Sequence, residues 1–150
     1  MNYKPIIIVA GEPNSIFLEI FFKCIQKNYY KSPLIIIVCK KLLIKQMQHL
    51  GFKFKINQIN LDNVSFKDLN NKKINIIDLD YNFKNIFEKI SKKSNNYISK
   101  SFSIALKIIK KNKFKKFING PISKKYFLEG KSLGITEYLA TQSKKGNKVV

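Results

Sequence analysis

The chain has 150 residues, is 45% hydrophobic and carries a formal charge of +20, which fits one apolar core of ordinary domain size. All 29 basic residues are lysine. Without arginine's two-pronged guanidinium the charge argues against a specific nucleic-acid partner and leaves non-specific attraction to polyanions. The apolar runs PIIIVA and PLIIIVC fall well short of the roughly 20 residues a membrane helix needs. No membrane partner is expected, and the location expected is cytoplasmic. Cys24 and Cys39 both lie in apolar stretches and read as buried free thiols in a reducing compartment.

Taken in chain order, Pro5–Ala10 and Leu34–Cys39 are isoleucine-rich runs with the pattern of strands covered on two faces. Between them Ser15–Lys27 has helical apolar spacing and a Glu19–Lys23 pair one turn apart. Lys41–Leu50 repeats the helical pattern and stops at Gly51, a residue suited to the left-handed position after a helix. Phe52–Ile59 alternates like a half-exposed strand, residues 60–73 are polar, and Ile74–Leu79 reads as another strand. Phe83, Ile86, Phe87 and Ile90 follow helical spacing, as do Ile98, Phe102, Ala105 and Ile109. A strand at Phe117–Asn119, a short helix at Ser123–Leu128 and a helix opening at Thr136 complete the series. Alternating strands and helices imply a three-layer α/β/α fold with a parallel or mixed sheet.

Neither Gly-x-Gly-x-x-Gly nor a Walker lysine motif occurs, so the usual dinucleotide and nucleotide fingerprints are missing. His49, the sole histidine, sits among polar residues and reads as a surface side chain. No grouping of His, Cys, Asp and Glu has metal-ligand spacing. Asp78-Leu79-Asp80 reads as capping chemistry where a strand meets a helix. Two stretches are more informative. Gly11-Glu12-Pro13-Asn14-Ser15 joins the first strand to the first helix, where Glu12 and the helix amides could face a polar ligand. In Asn119-Gly120-Pro121-Ile122-Ser123-Lys124 the proline ends the strand, Ser123 is a helix N-cap and Lys124 offers a positive charge at the same edge.

GEPNSIFLEI, NGPISKK and GITEYLA resemble, in this order and spacing, three segments of the 4-hydroxythreonine-4-phosphate dehydrogenase family of vitamin B6 biosynthesis. Gly11, Glu12, Pro13, Ile16, Glu19 and Ile20 match the first segment, while Ser15, Phe17 and Leu18 replace its usual Gly, Gly and Pro. Pro121 and Lys124 match the second, with Asn119 in place of a threonine. Gly134, Thr136 and Glu137 match the third, with Ile135 where the family has histidine. The resemblance covers nearly all of this chain and about the amino-terminal half of the family's length.

The resemblance implies an isocitrate/isopropylmalate dehydrogenase-like fold, here incomplete, and a homodimer with the site between subunits. It implies NAD-dependent oxidation and decarboxylation of 4-phosphooxy-L-threonine to 3-amino-2-oxopropyl phosphate, assisted by a divalent metal whose histidine ligands lie beyond this chain's last residue. Carried onto matching positions, the substrate-binding residues are Glu12, Asn119, Lys124, Ile135 and Thr136. Of the family's His-Thr pair only Thr136 can still donate a hydrogen bond. The expectation is an amino-terminal part, residues 1–150, inactive alone. A second reading, from a different class, is a non-catalytic basic α/β module that binds phosphorylated metabolites or nucleic acid.

Overall fold

The computed structural model describes residues 3–61, 69 and 71–143. Five strands form one parallel sheet in the order β3-β4-β2-β1-β5: β1 (Ile6–Val9), β2 (Leu34–Val38), β3 (Ile56–Gln58), β4 (Ile74–Asp78) and β5 (Phe117–Asn119). Among the described residues four α-helices accompany them: α1 (Phe17–Lys27), α2 (Lys40–His49), α3 (Asn95–Asn112) and α4 (Ile135–Ser143). The predicted three-layer arrangement is the one observed, and the sheet is parallel rather than mixed.

The strand sequences explain the layering. Ile7, Val9, Ile35, Ile37 and Ile77 point to one face, where Ile98, Phe102, Ala105 and Ile108 of α3 cover them. Ile8, Ile36, Val38 and Ile76 point to the other, under Leu18, Phe21 and Phe22 of α1 and Leu43 and Met47 of α2. Burying each of these isoleucines is worth roughly 2 kcal/mol. The chain moves from β1 toward β2, and after β4 it crosses back to β5 on the far side of β1. Right-handed crossovers running in opposite directions must lie on opposite faces, which is why α3 sits across the sheet from α1 and α2.

Most sequence expectations hold locally. Gly51 has φ +75°, and Phe52 N–H donates to Met47 O at 2.9 Å while Gly51 N–H donates to Gln48 O at 3.1 Å, the paired closure of a helix end. Glu19 and Lys23 pair at 2.6 Å. Phe52 and Phe54 pack on Phe22, at 5.4 and 6.2 Å between ring centroids, but the strand after them is only Ile56–Gln58. His49 is exposed, edge-on to Phe87.

Three expectations need correction. Cys39 is buried, whereas Cys24 is exposed, because α1 directs Leu18, Phe21 and Phe22 rather than the Ile20–Cys24 side toward the sheet. Asp78 does cap a helix, but the helix is α2: its Oδ1 accepts from Lys40 N–H at 2.9 Å across neighbouring strands. The helix expected across Phe83–Ile90 does not form. Its backbone is engaged otherwise: within the segment Lys84 N–H and Asn85 N–H donate to Glu88 Oε1, and from outside Asn14 Oδ1 accepts from Glu88 N–H and Gln46 Nε2 donates to Ile86 O. Local side-chain and tertiary hydrogen bonds together here outweigh an apolar spacing that by itself favours a helix.

Tyr97 on α3 crosses to the sheet's carboxyl end, where its buried hydroxyl accepts from Cys39 N–H at 3.0 Å. Burial pushes the phenol well above its ordinary pKa. Tyr97→Phe would strand a buried amide donor. It is expected to lower unfolding stability by about 2 kcal/mol, measured as a shift of the urea midpoint with unchanged slope.

Candidate functional site

Strand order reverses between β1 and β5, and ligands of open α/β sheets collect beyond the carboxyl ends of such a pair. Here the turns leaving the two strands press backbone against backbone. Gly120 N–H donates to Val9 O at 2.7 Å, and Glu12 N–H donates to Pro121 O at 2.8 Å. A Cβ on Gly11 would overlap Pro121 O, one on Gly120 would overlap Ala10 O, and Gly11 also has φ +76°. Only glycine fits both places. Two motifs separated by more than a hundred residues in sequence therefore become one floor.

Glu12 stands on this floor and is 3% exposed. Its Oε2 accepts from Ser94 Oγ at 2.7 Å, and its Oε1 from Asn14 N–H at 3.3 Å. Ser94 is the N-cap of α3, so the carboxylate lies at the positive end of that helix, a favourable position for a buried anion. Ser15 Oγ donates to Glu12 O at 2.7 Å and accepts from Phe17 N–H at 3.2 Å, which starts α1. Asn14, pinned by Glu12, accepts from Glu88 N–H at 3.0 Å. Glu88 in turn receives Lys93 Nζ at 2.8 Å. The Lys93 ammonium and two backbone N–H groups hold the Glu88 carboxyl down at a pKa of about 2.

The Asn119–Lys124 stretch forms the other wall. Asn119 is half-buried and its amide donates to Gly120 O at 3.1 Å. Ser123 Oγ accepts from Tyr126 N–H at 3.1 Å, the expected cap, over a single π-helical turn at Lys124–Leu128. That turn is tied to the start of α3 by Asn95 Nδ2 donating to Tyr126 O at 2.7 Å, and the residues flanking the two elements are joined by the Lys92–Glu129 ion pair. Lys124 is exposed. Thr136 is exposed in the first turn of α4, next to Ile135, which packs partly buried against the α3-side core. Tyr138 of α4 stacks edge-on against Phe127, with ring centroids 5.0 Å apart, and so joins α4 to the turn that carries Lys124. Glu137 Oε2 accepts from Leu133 N–H at 2.7 Å and closes the start of α4.

The arrangement thus sets the Glu12 turn against the Asn119–Lys124 turn in direct contact, with α4 attached through Phe127. Asn14 lay in the Gly11–Ser15 turn without a role of its own, while Ser94 and Asn95, which also hold the walls together, carried no motif in the sequence. The signal that could have found them is the serine-rich start of α3. Among the described residues, two buried acceptors at this rim, Gln46 Oε1 and Asn95 Oδ1, lack a donor.

A divalent metal does not fit the described residues, which contain no group of three or more His, Cys, Asp and Glu side chains able to hold one. Nor do they offer a glycine-rich cradle for a dinucleotide, since the amides of Glu12 and Gly120 are spent between the two turns. What the described residues place here is a rigid polar floor, with an exposed lysine on the turn beyond Pro121 and an exposed threonine in the first turn of α4.

The sequence profile of the family described as "Pyridoxal phosphate biosynthetic protein PdxA" matches residues 30–150. The chain belongs to this family. No curated protein sequence matches it. Among solved structures it is similar to a 4-hydroxythreonine-4-phosphate dehydrogenase from Burkholderia phymatum, with TM-score 0.79 and 21% identity over 98% of this chain and 45% of the other. It is also similar to a 4-hydroxythreonine-4-phosphate dehydrogenase from Klebsiella pneumoniae, with TM-score 0.75 and 17% identity over 93% and 44% of the two chains. The fold is isocitrate-dehydrogenase-like, and the chain spans less than half the length of the structures it matches. Of the three family-like segments, NGPISKK and GITEYLA lie inside the matched range, and the Glu12 segment lies before it.

The site's geometry sets two expected outcomes. Gly120→Ala is expected to cost about 3 kcal/mol of stability by forcing β1 and β5 apart, visible as a lowered urea midpoint and faster amide exchange at Gly120 and Glu12. The second concerns Glu88, whose pKa falls from 4.5 to about 2 on folding. Its contribution to stability is fully present above pH 4.5 and is lost as pH falls through about 2. Glu88→Gln should therefore lower the urea midpoint at neutral pH, and the gap between the two proteins should close on acidification across that window.

Proposed function

We propose that this chain supplies the amino-terminal part of an NAD-dependent 4-hydroxythreonine-4-phosphate dehydrogenase, acting on a phosphorylated amino acid in pyridoxal phosphate biosynthesis. The observation that carries the reading is the coincidence of family match and geometry. Of the two matched segments, NGPISKK contacts the Glu12 turn at the strand-order reversal of an isocitrate-dehydrogenase-like sheet, and GITEYLA is joined to the turn that follows through the Phe127–Tyr138 contact. In this reading Lys124 is a point charge for the substrate's phosphate or carboxylate, and the Thr136 hydroxyl donates to the substrate. Asn119 lines the pocket, and Glu12 holds the turn rigid from beneath. Ile135 fills the family's histidine position with an apolar side chain, so substrate is held there by shape and by Thr136 alone.

Bound NAD would accept the hydride and a divalent metal would stabilise the developing alkoxide. The described residues supply neither group's cradle, so the reading requires the remainder of the family fold, in a homodimer, to complete the site. The 150-residue chain by itself is proposed to be inactive. The alternative, a basic module without chemistry, is favoured by no observation at this rim.

The test is a titration with 4-phosphooxy-L-threonine followed by the amide signals of Gly11, Ser123 and Thr136. Binding confined to these positions, weakened about tenfold by Lys124→Gln as expected for removal of a charge-assisted hydrogen bond, supports the reading. NADH production by the chain alone would overturn its inactivity, and no perturbation at the rim would remove the substrate site.

A further inference from the structure

The lysines are scattered in sequence, but a parallel sheet gathers whatever precedes its strands at one edge. Lys4 leads into β1, Lys31 into β2, Lys55 into β3, Lys73 into β4 and Lys116 into β5, and all five are exposed. Lys113 and Lys115 extend the row before β5, and Lys27, Lys110 and Lys111 close α1 and α3 at the same edge. The carboxylates are sorted the other way. Glu12, Glu19, Asp78, Asp80, Glu88, Glu129 and Glu137, the carboxylates among the described residues, all lie in segments at or after a strand's carboxyl end. The ion pairs go with them, through Lys23, Lys92, Lys93 and Lys131. The amino-terminal edge of the sheet is therefore a belt of positive charge with no described carboxylate to neutralise it, on the side opposite the candidate site.

Aromatic rings stand within the belt. Tyr29, between Lys27 and Lys31, is 90% exposed, and Tyr3 is 41% exposed with the Lys31 ammonium 5.9 Å from its ring centroid. Among the described residues the exposed large aliphatic side chains are Ile16, Ile20, Leu61 and Leu133, in segments that come after strands, and Ile118, within β5, so none accompanies the lysines that lead into the strands. A membrane-inserting surface would pair its lysines with such groups. Lysine with exposed tyrosine instead matches a phosphate backbone whose unstacked bases lie on rings. We propose that this edge binds single-stranded nucleic acid without sequence preference, the lysines meeting phosphates and Tyr29 stacking on a base. The absence of arginine suits contact with the backbone rather than reading of base edges.

The test is fluorescence anisotropy of a labelled oligothymidylate against the full chain over a salt series. The triple variant Lys113→Gln, Lys115→Gln, Lys116→Gln is expected to weaken binding roughly tenfold or more and to flatten the salt slope by about 2, at about 0.7 for each phosphate no longer neutralised. Tyr29→Ala is expected to weaken it about fivefold or more with the slope unchanged. The control triple Lys41→Gln, Lys84→Gln, Lys89→Gln removes the same charge from exposed positions on the other side and should retain binding, with circular dichroism confirming that all variants fold. Equal losses in the two triples would overturn the proposal in favour of attraction by net charge alone. Indifference to Tyr29→Ala would overturn the stacking, and capture by phosphatidylserine vesicles without binding of the oligonucleotide would overturn the partner. None of these outcomes bears on the Lys124 rim.

Discussion

The candidate site depends on the contact between two backbone turns. Gly11 and Gly120 let the chain leaving β1 and the chain leaving β5 approach until amide meets carbonyl, with no room for a Cβ on either side. Because that contact is made of main chain, it fixes the two turns more rigidly than side-chain packing could. Glu12 then converts a local floor into a larger scaffold. Its buried carboxylate takes the N-cap hydroxyl of α3 on one oxygen and Asn14 on the other, so the start of α3, the start of α1 and the 81–90 segment are oriented by one anion.

Such a carboxylate is costly to desolvate, and it is tolerated because donors and a helix end face it. The consequence for function is positional. The residues with exposed polar groups, Lys124 and Thr136, sit on elements braced against this scaffold rather than within it: the capped π turn through Asn95 and Glu129, and α4 through the Phe127–Tyr138 contact. A site of this kind separates support from contact. Buried groups hold the walls, while exposed ones remain available to a ligand.

Charge is partitioned by the same topology. Parallel strands all begin at one edge and end at the other, so segments that lead into strands and segments that leave them never mix. In this chain the first kind is lysine-rich and the second carries every described carboxylate. The candidate substrate site and the lysine belt consequently occupy opposite edges, and a ligand at one need not compete with a ligand at the other.

Composition and periodicity were sufficient for the strands β1, β2, β4 and β5, for α1, α2 and α3, for the α/β/α class, and for the turn chemistry of Gly51 and Ser123, because these depend on residues close in sequence. The motif resemblance picked out the Glu12, Lys124 and Thr136 segments for the same reason. What the sequence left open was everything decided by residues far apart. The Phe83–Ile90 spacing reads as a helix until Gln46 and Asn14, from distant parts of the chain, bind its backbone. Asp78 reads as a cap for the residues just after it, yet the amide it reaches belongs to α2. Lysines that look dispersed become a belt only when five parallel strands set their starts side by side. Local propensity is written in neighbouring side chains, whereas hydrogen-bond partners and charge neighbours across the molecule exist only once the sheet has closed.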